Sequence, residues 1–187
     1  MQTIYTGGRV RLRPFRGAEE YTGIDNQLME LPSEYWGPHW RPLGERVAEY
    51  ESTGVQDPGT YSAYAIERLD TGQLIGIEEH GSIRPGVLWT WLGTHLLEQH
   101  RRQGFGTEAK QLMLCSLFES YPLETVYAIT VANHEPALRG LERSGFRHVG
   151  EKRGMFIARG QPVDEIYYVI TREEWERLPM RQHVTRG

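Results

Sequence analysis

The sequence predicts an α/β fold, in which about seven strands form one mixed sheet flanked by helices. Three observations predict it. Short runs alternate apolar with polar residues, which is typical of half-buried strands. Between them lie segments with helical apolar spacing and helix boundary residues. The 187 residues, 39% of them hydrophobic, suit one domain with a sizeable core. We expect that domain over residues 1–178 and a flexible tail over 179–187.

The first third of the chain predicts one strand, two helices and a loop. "RVRLRPF" alternates apolar residues with arginines until Pro14 stops the strand. A helix is predicted from Ala18 through Leu28, and a shorter one around Val47. The segment between them, "LPSEYWGPHWRPLG", is broken by three prolines and predicts a loop rich in aromatic residues.

The centre of the chain predicts a hairpin and then a central strand. The hairpin turns at Asp70-Thr71-Gly72, whose glycine suits a tight turn. "VLWTWLGTHLL" is apolar on both alternating faces, so we place this strand in the middle of the sheet. A helix follows from Phe105, with Cys115 on it as a core residue.

The remaining elements have clear boundary residues. "ETVYAITVA" predicts a strand. Asn133 at a cap position, Pro136 in the first turn and Gly145 past the end delimit a helix. Two strands joined through Gly160 follow, and the capping box Thr171–Glu174 opens a terminal helix.

Composition excludes several classes of protein. A net charge of -4 provides no general attraction for nucleic acid. No run approaches the length of about 18 apolar residues that a membrane helix needs. The single cysteine excludes an internal disulfide and fits a reducing cytoplasm. The histidines show no metal-ligand spacing, so we expect no metal.

The segment "RRQGFGTEAK" places a basic, glycine-containing turn before a helix. Unpaired N–H groups at a helix start bind phosphate, and Gly104 and Gly106 allow close approach. Arg101 and Arg102 add cationic donors. The pattern G-x-G-x-x-A also matches a dinucleotide fingerprint, but strands precede it and Glu124 begins the next strand instead of ending it. A compact, multiply charged phosphate ligand is therefore favoured.

These residues resemble a known family. R101-x-x-G104-x-G106, N133-x-x-x-A137 and "LERSGF", with "DEIYYVITREEW" near the end, look like the GNAT N-acetyltransferases. The sequence of these motifs is similar to that of the branch that includes ribosomal-protein N-terminal acetyltransferases and many antibiotic or small-amine acetylators. The resemblance runs from about Arg9 to Glu176 and is most specific from Leu92 to Phe146.

The resemblance implies a mostly antiparallel sheet that is splayed in the middle. It also implies transfer of an acetyl group from acetyl-coenzyme A, without a metal, to a primary amine of a protein N-terminus, an antibiotic or a small molecule. A homodimer is common among such proteins. The residues that it implies for the cofactor are Thr94, His95, Leu96, Arg101, Arg102, Gln103, Gly104, Phe105, Gly106, Thr107 and Asn133.

The resemblance does not identify a catalytic base. Related enzymes often carry a glutamate where this chain has Trp91, and a tyrosine where it has Leu141. The remaining candidates are Glu78, Glu79 and His80 on the preceding strand, His95 at the splay, and Asp164; of these we favour Glu79, His95 and Asp164. Alternation places Glu78 and Glu79 on opposite faces, so only one of them can face the cleft. A chain of water molecules is an equal alternative.

We assign the acceptor amine to the aromatic loop. Glu30, Glu34 and Trp36 suit a cationic amine through charge and cation–π contact. Truncating Trp36 and Glu34 is then expected to raise the KM for the amine without altering cofactor binding. The alternative is that the loop tryptophans fill the core or a dimer face.

Two other functions stay open. A non-enzymatic module that senses acyl-coenzyme A would bind the cofactor without amine-dependent thiol release. An NAD-type oxidoreductase would bind a nicotinamide.

Overall fold

The computed structural model describes residues 5–29, 42–158, 160–179 and 183–187. Its helices are α1 (Ala18–Met29), α2 (Leu43–Thr53), α3 (Phe105–Ser120), α4 (Glu135–Arg143) and α5 (Arg172–Glu176), with a 3-10 turn at Glu98–His100. Its strands are β1 (Tyr5–Thr6), β2 (Val10–Arg13), β3 (Gln56–Asp57), β4 (Tyr61–Arg68), β5 (Leu74–Gly81), β6 (Trp89–Leu96), β7 (Thr125–Val131), β8 (Arg147–Ala158), β9 (Gln161–Thr171) and β10 (Thr185–Arg186). None of the described helices combines the length and apolarity that crossing a membrane requires.

All the strands belong to one open sheet. Their order is β10-β1-β2-β4-β5-β6-β7-β9-β8, with β3 paired to β4. Every neighbouring pair is antiparallel except β6 and β7, which are parallel. The prediction of a mixed, mostly antiparallel sheet is therefore confirmed, and its seven strands correspond to those longer than two residues.

The sheet carries helices on both faces. One face packs against α3, α4 and α5 through a core that includes Leu112, Leu141 and Trp175. The other face packs against α1 through a smaller core that contains Tyr21 and Ile24, with Tyr50 of α2 at its edge. We call these the α3 face and the α1 face. Cys115 is buried in the larger core, as predicted.

The end of the chain differs from the expected loose tail. Thr185 and Arg186 pair with Thr6 and Tyr5 of β1, and Val184 is buried in the larger core. Short polar sequences give no sign of such a contact, because it depends on a strand that lies about 180 residues earlier in the chain.

The parallel pair in the middle of the sheet diverges. β6 and β7 pair only where Trp89–Trp91 meet Thr125–Tyr127. The rest of β6, from Leu92 to Leu96, pairs with β5 on one edge only. The sheet is therefore splayed at its centre, as expected, and this opening leaves one strand edge for a ligand.

Candidate functional site

The turn before α3 presents unsatisfied backbone donors. Gly104 occupies the cap position with φ 86°, a left-handed conformation that glycine adopts without strain. Arg102 also has a positive φ of 59°. The N–H groups from Gly104 to Thr107 find no hydrogen-bond acceptor within the described part of the chain. Together with the helix dipole they form an anion-binding site.

Arg9 of the β1–β2 connection braces this turn. Its Nη1 donates to the carbonyl of Gln103 at 2.8 Å, and its Nε donates to Glu108 Oε2 at 3.1 Å. The guanidinium groups of Arg9 and Arg68 lie 5.1 and 5.0 Å from the ring centre of Phe105. These contacts hold the start of α3 against the sheet, so the turn is preorganised for binding an anion.

The turn lies beside the free edge of β6. A Cβ at residue 106 would lie 3.3 Å from Leu96 Cδ1, 3.7 Å from Thr94 Cγ2 and 3.9 Å from Lys110 Nζ. Arg101 Nε donates to the carbonyl of Leu96 at 2.9 Å, so this arginine links the turn to the strand. The N–H groups that can bind a phosphate are thus adjacent to an open strand edge. This arrangement suits a ligand with a diphosphate and an amide-bearing arm.

On the α1 face, Glu79 joins two other polar side chains. Its Oε1 lies 3.0 Å from His95 Nε2, and its Oε2 accepts a hydrogen bond of 2.8 Å from the hydroxyl of Tyr61. Tyr61 in turn stacks on Trp91 with ring centres 6.4 Å apart. The His95 side chain is 51% exposed and that of Glu79 is 20% exposed, so this site is open to a ligand.

The charges of this group set its protonation. Partial loss of hydration beside the sheet lowers the pKa of the half-exposed His95, but the Glu79 carboxylate more than offsets this effect, and the pKa of His95 lies above its ordinary value. Burial, and then the Glu79 charge, raise the pKa of Tyr61 well above its usual range. Near neutral pH the tyrosine therefore keeps its proton, while the imidazole can gain or lose one.

The other predicted site residues are spread over the molecule. Asp164 lies on β9, beyond β7 from Glu79 and His95, and its Oδ1 accepts a hydrogen bond of 2.8 Å from the N–H of Gly154. Asn133 is exposed, directly before the cap residue of α4. The acceptor residues Glu30, Glu34 and Trp36 lie outside the described residues.

Three residues of the site were not identified from the sequence. Arg9 and Lys110 come from segments in which an isolated basic residue is ordinarily a solvated surface charge. Tyr61 lies on β4, where Ala63 is paired with Glu79, so Tyr61 is a diagonal neighbour of that glutamate. The hairpin turn predicted at Gly72 places β4 and β5 side by side. The sequence does not fix the register of the two strands, which is needed to pair Tyr61 with Glu79.

Comparison with known proteins identifies related sequences. The model of a family described as an acetyltransferase (GNAT) domain matches residues 9–147. A protein of Bacillus subtilis (strain 168) named "uncharacterized N-acetyltransferase YoaA" is 27% identical over 109 residues. That match covers 58% of this chain and 62% of the relative, so the chain spans less than two thirds of that relative's length.

Solved structures share the fold. A spermidine N-acetyltransferase from Vibrio cholerae, in complex with CoA and spermine, superposes with a TM-score of 0.78 at 18% identity, covering 90% of this chain and 98% of the other. A GNAT-family acetyltransferase from Bacillus anthracis gives 0.74 at 16% identity, covering 91% and 99%. A Vibrio cholerae protein provisionally described as a ribosomal-protein-serine acetyltransferase gives 0.68 at 19% identity, covering 90% and 97%. At these identities the likeness shows the fold alone.

Proposed function

The chain belongs to the GNAT acetyltransferase family, and we propose that it transfers an acetyl group from acetyl-coenzyme A to a primary amine by direct attack. The observation that carries this proposal is the position of the anion-binding turn beside the free edge of β6. The co-substrate supplies an acetyl thioester, which reacts with a neutral amine without a covalent enzyme intermediate.

The residues present fit the co-substrate. The N–H groups from Gly104 to Thr107 would bind the pyrophosphate, and the side chains of Arg101 and Arg102 lie at the entrance of the turn. The free edge of β6 at Thr94–Leu96 would accept the pantetheine arm in the manner of an added strand. Asn133, two residues after the end of β7, is our further candidate for the arm.

The α1 face supplies the proton acceptor. His95 lies on β6 between Thr94 and Leu96, and its cross-strand partner Ile77 belongs to the core beneath α1. Glu79 holds the imidazole and stabilises its protonated form, as a carboxylate does for a general base. We therefore assign His95 as the base that removes a proton from the attacking amine, with Glu79 as its positioning residue. Asp164 keeps only the role of a second candidate.

The charged and aromatic groups on the α1 face indicate the class of the acceptor amine. The carboxylate of Glu79 and the aromatic rings of Tyr61 and Trp91 suit a cationic amine at this face. Spermine is bound by one structural neighbour, and another is described as a ribosomal-protein-serine acetyltransferase. We propose a primary amine and leave the protein, antibiotic and small-molecule acceptors to experiment.

The test is a thiol-release assay with a panel of amines. The purified chain is incubated with acetyl-coenzyme A and polyamines, aminoglycosides or peptides with free N-termini, and free thiol is measured. Amine-dependent release supports the proposal. Tight coenzyme A binding with no release from any amine would instead favour the sensing module, which the absence of a family glutamate at Trp91 and tyrosine at Leu141 makes the second candidate.

Replacing His95 with glutamine is expected to lower kcat by about a hundredfold, the ordinary contribution of a general base. Because a base must be neutral, the wild-type rate should rise with pH through the elevated pKa of His95. Glu79→Gln removes the charge that raises this pKa, so the acid limb of the pH–rate profile should move to lower pH. His148→Gln, on exposed β8, is the matched control. A His95→Gln enzyme with an unchanged acid limb would contradict the assignment.

A further inference from the structure

An exposed apolar surface lies on the α1 face where β6 and β7 begin to diverge. Trp89 of β6 is 46% exposed, and its ring centre lies 5.9 Å from that of Tyr127 on β7, in an edge-to-face arrangement. Ile129, the next residue of β7 on the same face, is 41% exposed. We call Trp89, Tyr127 and Ile129 the apolar wall. Adjoining exposed apolar side chains are typical of a surface that binds a ligand or a partner.

The apolar wall continues the aromatic surface of the candidate site. Val126 and Ala128, which alternate with the wall residues on β7, are buried in the larger core on the α3 face. Trp91 is paired with Tyr127 and stacks on Tyr61, which packs against the core beneath α1. The wall and the ring pair of Tyr61 and Trp91 therefore form one surface on the α1 face.

Gly93 allows the carboxylate of Glu79 to reach the edge of this surface. A Cβ at residue 93 would lie 2.6 Å from Glu79 Oε1, so the carboxylate lies directly over the backbone of β6. The neighbours of Gly93 in the chain, Leu92 and Thr94, belong to the part of β6 whose other edge is open. Trp91 is the next residue on the α1 face, about 7 Å away along the strand. The carboxylate and the aromatic surface are therefore adjacent at the opening.

On the far side of the apolar wall, β8 and β9 present a cation. Tyr167 is paired with Ile129, and Lys152 Nζ lies 4.8 Å from the ring centre of Tyr167. The carboxylate beside them belongs to Glu165, which is 8% exposed, accepts a hydrogen bond from Tyr167 and lies 4.0 Å from Lys152 Nζ. The side of the wall away from Glu79 is therefore unfavourable for a second ammonium group.

We propose that the acceptor is a monoamine with a flat apolar substituent, such as an arylalkylamine, an inference that rests on the proposed acetyl transfer. The amine lies at Glu79 and His95, and the substituent packs against the apolar wall across the opening. Ring faces also attract cations, but Lys152 already lies over the ring of Tyr167, and its charge repels a further ammonium group. A polyamine or an aminoglycoside is therefore a poorer acceptor.

Three amines with the same propyl chain test the proposal in the thiol-release assay. They are propylamine, 3-phenylpropylamine and 1,3-diaminopropane. Removing about 100 Å² of ring surface from water should raise kcat/KM for 3-phenylpropylamine about fiftyfold over that for propylamine. The three-carbon chain separates the ring from the nitrogen, so this comparison measures packing and not basicity. The diamine should react no better than propylamine, and a diamine that matched 3-phenylpropylamine would overturn the proposal.

Trp89→Ala removes the largest ring of the apolar wall. We expect kcat/KM for 3-phenylpropylamine to fall about tenfold, whereas that for propylamine, which is too short to cover the wall, should not change. Leu88→Ala is the matched control, because Leu88 is 53% exposed directly before β6 and does not belong to the wall. Equal losses with both amines would contradict the assignment and leave Trp89 a structural role. The assignment would also be wrong if Trp89→Ala dissociated a wild-type dimer in analytical ultracentrifugation, since the wall would then be a subunit interface.

Ile129→Glu is the reciprocal variant. It places a carboxylate on the wall, where that group can pair with the second ammonium group of 1,3-diaminopropane. We expect kcat/KM for the diamine to rise about fivefold and that for 3-phenylpropylamine to fall. Because Ile129 is 41% exposed, the substitution leaves the core intact. An unchanged preference would show that the acceptor does not extend across β7, against the proposal.

Calorimetry on the complex with coenzyme A separates this proposal from the acetyl transfer. Coenzyme A carries no acetyl group, so the amines bind without reacting. We expect 3-phenylpropylamine to bind at least about tenfold more tightly than propylamine. This preference without thiol release from acetyl-coenzyme A would refute the transfer and retain the wall as a binding surface. Thiol release with no preference among the three amines would refute the role of the wall alone.

Discussion

Replacing Gly106 with glutamate is expected to weaken coenzyme A binding by about a thousandfold. The new side chain would start 3.3 Å from Leu96 Cδ1 and 3.7 Å from Thr94 Cγ2, beside the free N–H groups of α3. A carboxylate about 4 Å from a phosphate costs about 4 kcal/mol at an effective dielectric constant of ~20. It would also occupy space that the pantetheine arm needs. Isothermal titration calorimetry with coenzyme A measures the loss.

Two variants separate charge at the turn from general effects. Gly140→Glu places the same side chain on α4, where an added Cβ meets nothing within 4 Å, and it should bind coenzyme A like the wild type. Gly106→Ala adds only a methyl group to the first turn and should lose far less affinity than the glutamate. If Gly106→Glu bound coenzyme A as tightly as Gly140→Glu, the turn would not hold the phosphate and the proposed function would lose its main support.

This turn could be predicted because its parts are consecutive in the sequence. Two arginines, two glycines and a helical apolar pattern within residues 101–119 suffice to predict free N–H groups at a helix start. The structure confirms that α3 begins at Phe105, directly after the left-handed Gly104. Local signals also gave the capping box of α5, which is present between Thr171 and Glu174.

The polar groups on either side of β6 could be predicted only in part. Alternation correctly places Glu78 and Glu79 on opposite faces, so that only one of them was expected to face the cleft. The structure gives each a polar environment: Glu79 meets Tyr61 and His95, and Glu78 faces Thr94 near Lys110. These partners come from other strands and from a helix, so they depend on register and packing, which a single sequence does not contain.

The partly buried Arg172 shows the same limit of sequence-based prediction at the end of α3. Its replacement by methionine is expected to lower the free energy of unfolding by about 3–4 kcal/mol. Its guanidinium donates to three backbone carbonyls around the end of α3, those of Phe118 at 2.7 Å, Tyr121 at 2.8 Å and Leu123 at 2.9 Å. It also lies 5.2 Å from the ring centre of Phe118. Methionine keeps the volume but leaves these carbonyls without their charged donor.

The loss should appear in thermal and urea denaturation, with a melting temperature lower by about 10 °C for a chain of this size.

Arg177→Met is the matched control in the segment that follows α5. Among the described residues Arg177 pairs with Glu173 alone, and both side chains are more than 70% exposed (72% and 75%), so its replacement should change stability by less than about 1 kcal/mol. Arg172→Lys should recover little, because one ammonium group cannot reach three carbonyls that a planar guanidinium spans. Since Arg172 lies at the opposite end of α3 from the turn, coenzyme A affinity should be retained below the melting temperature. Equal stability of Arg172→Met and Arg177→Met would show that water replaces the guanidinium at the end of α3, and that packing alone holds this helix on the sheet.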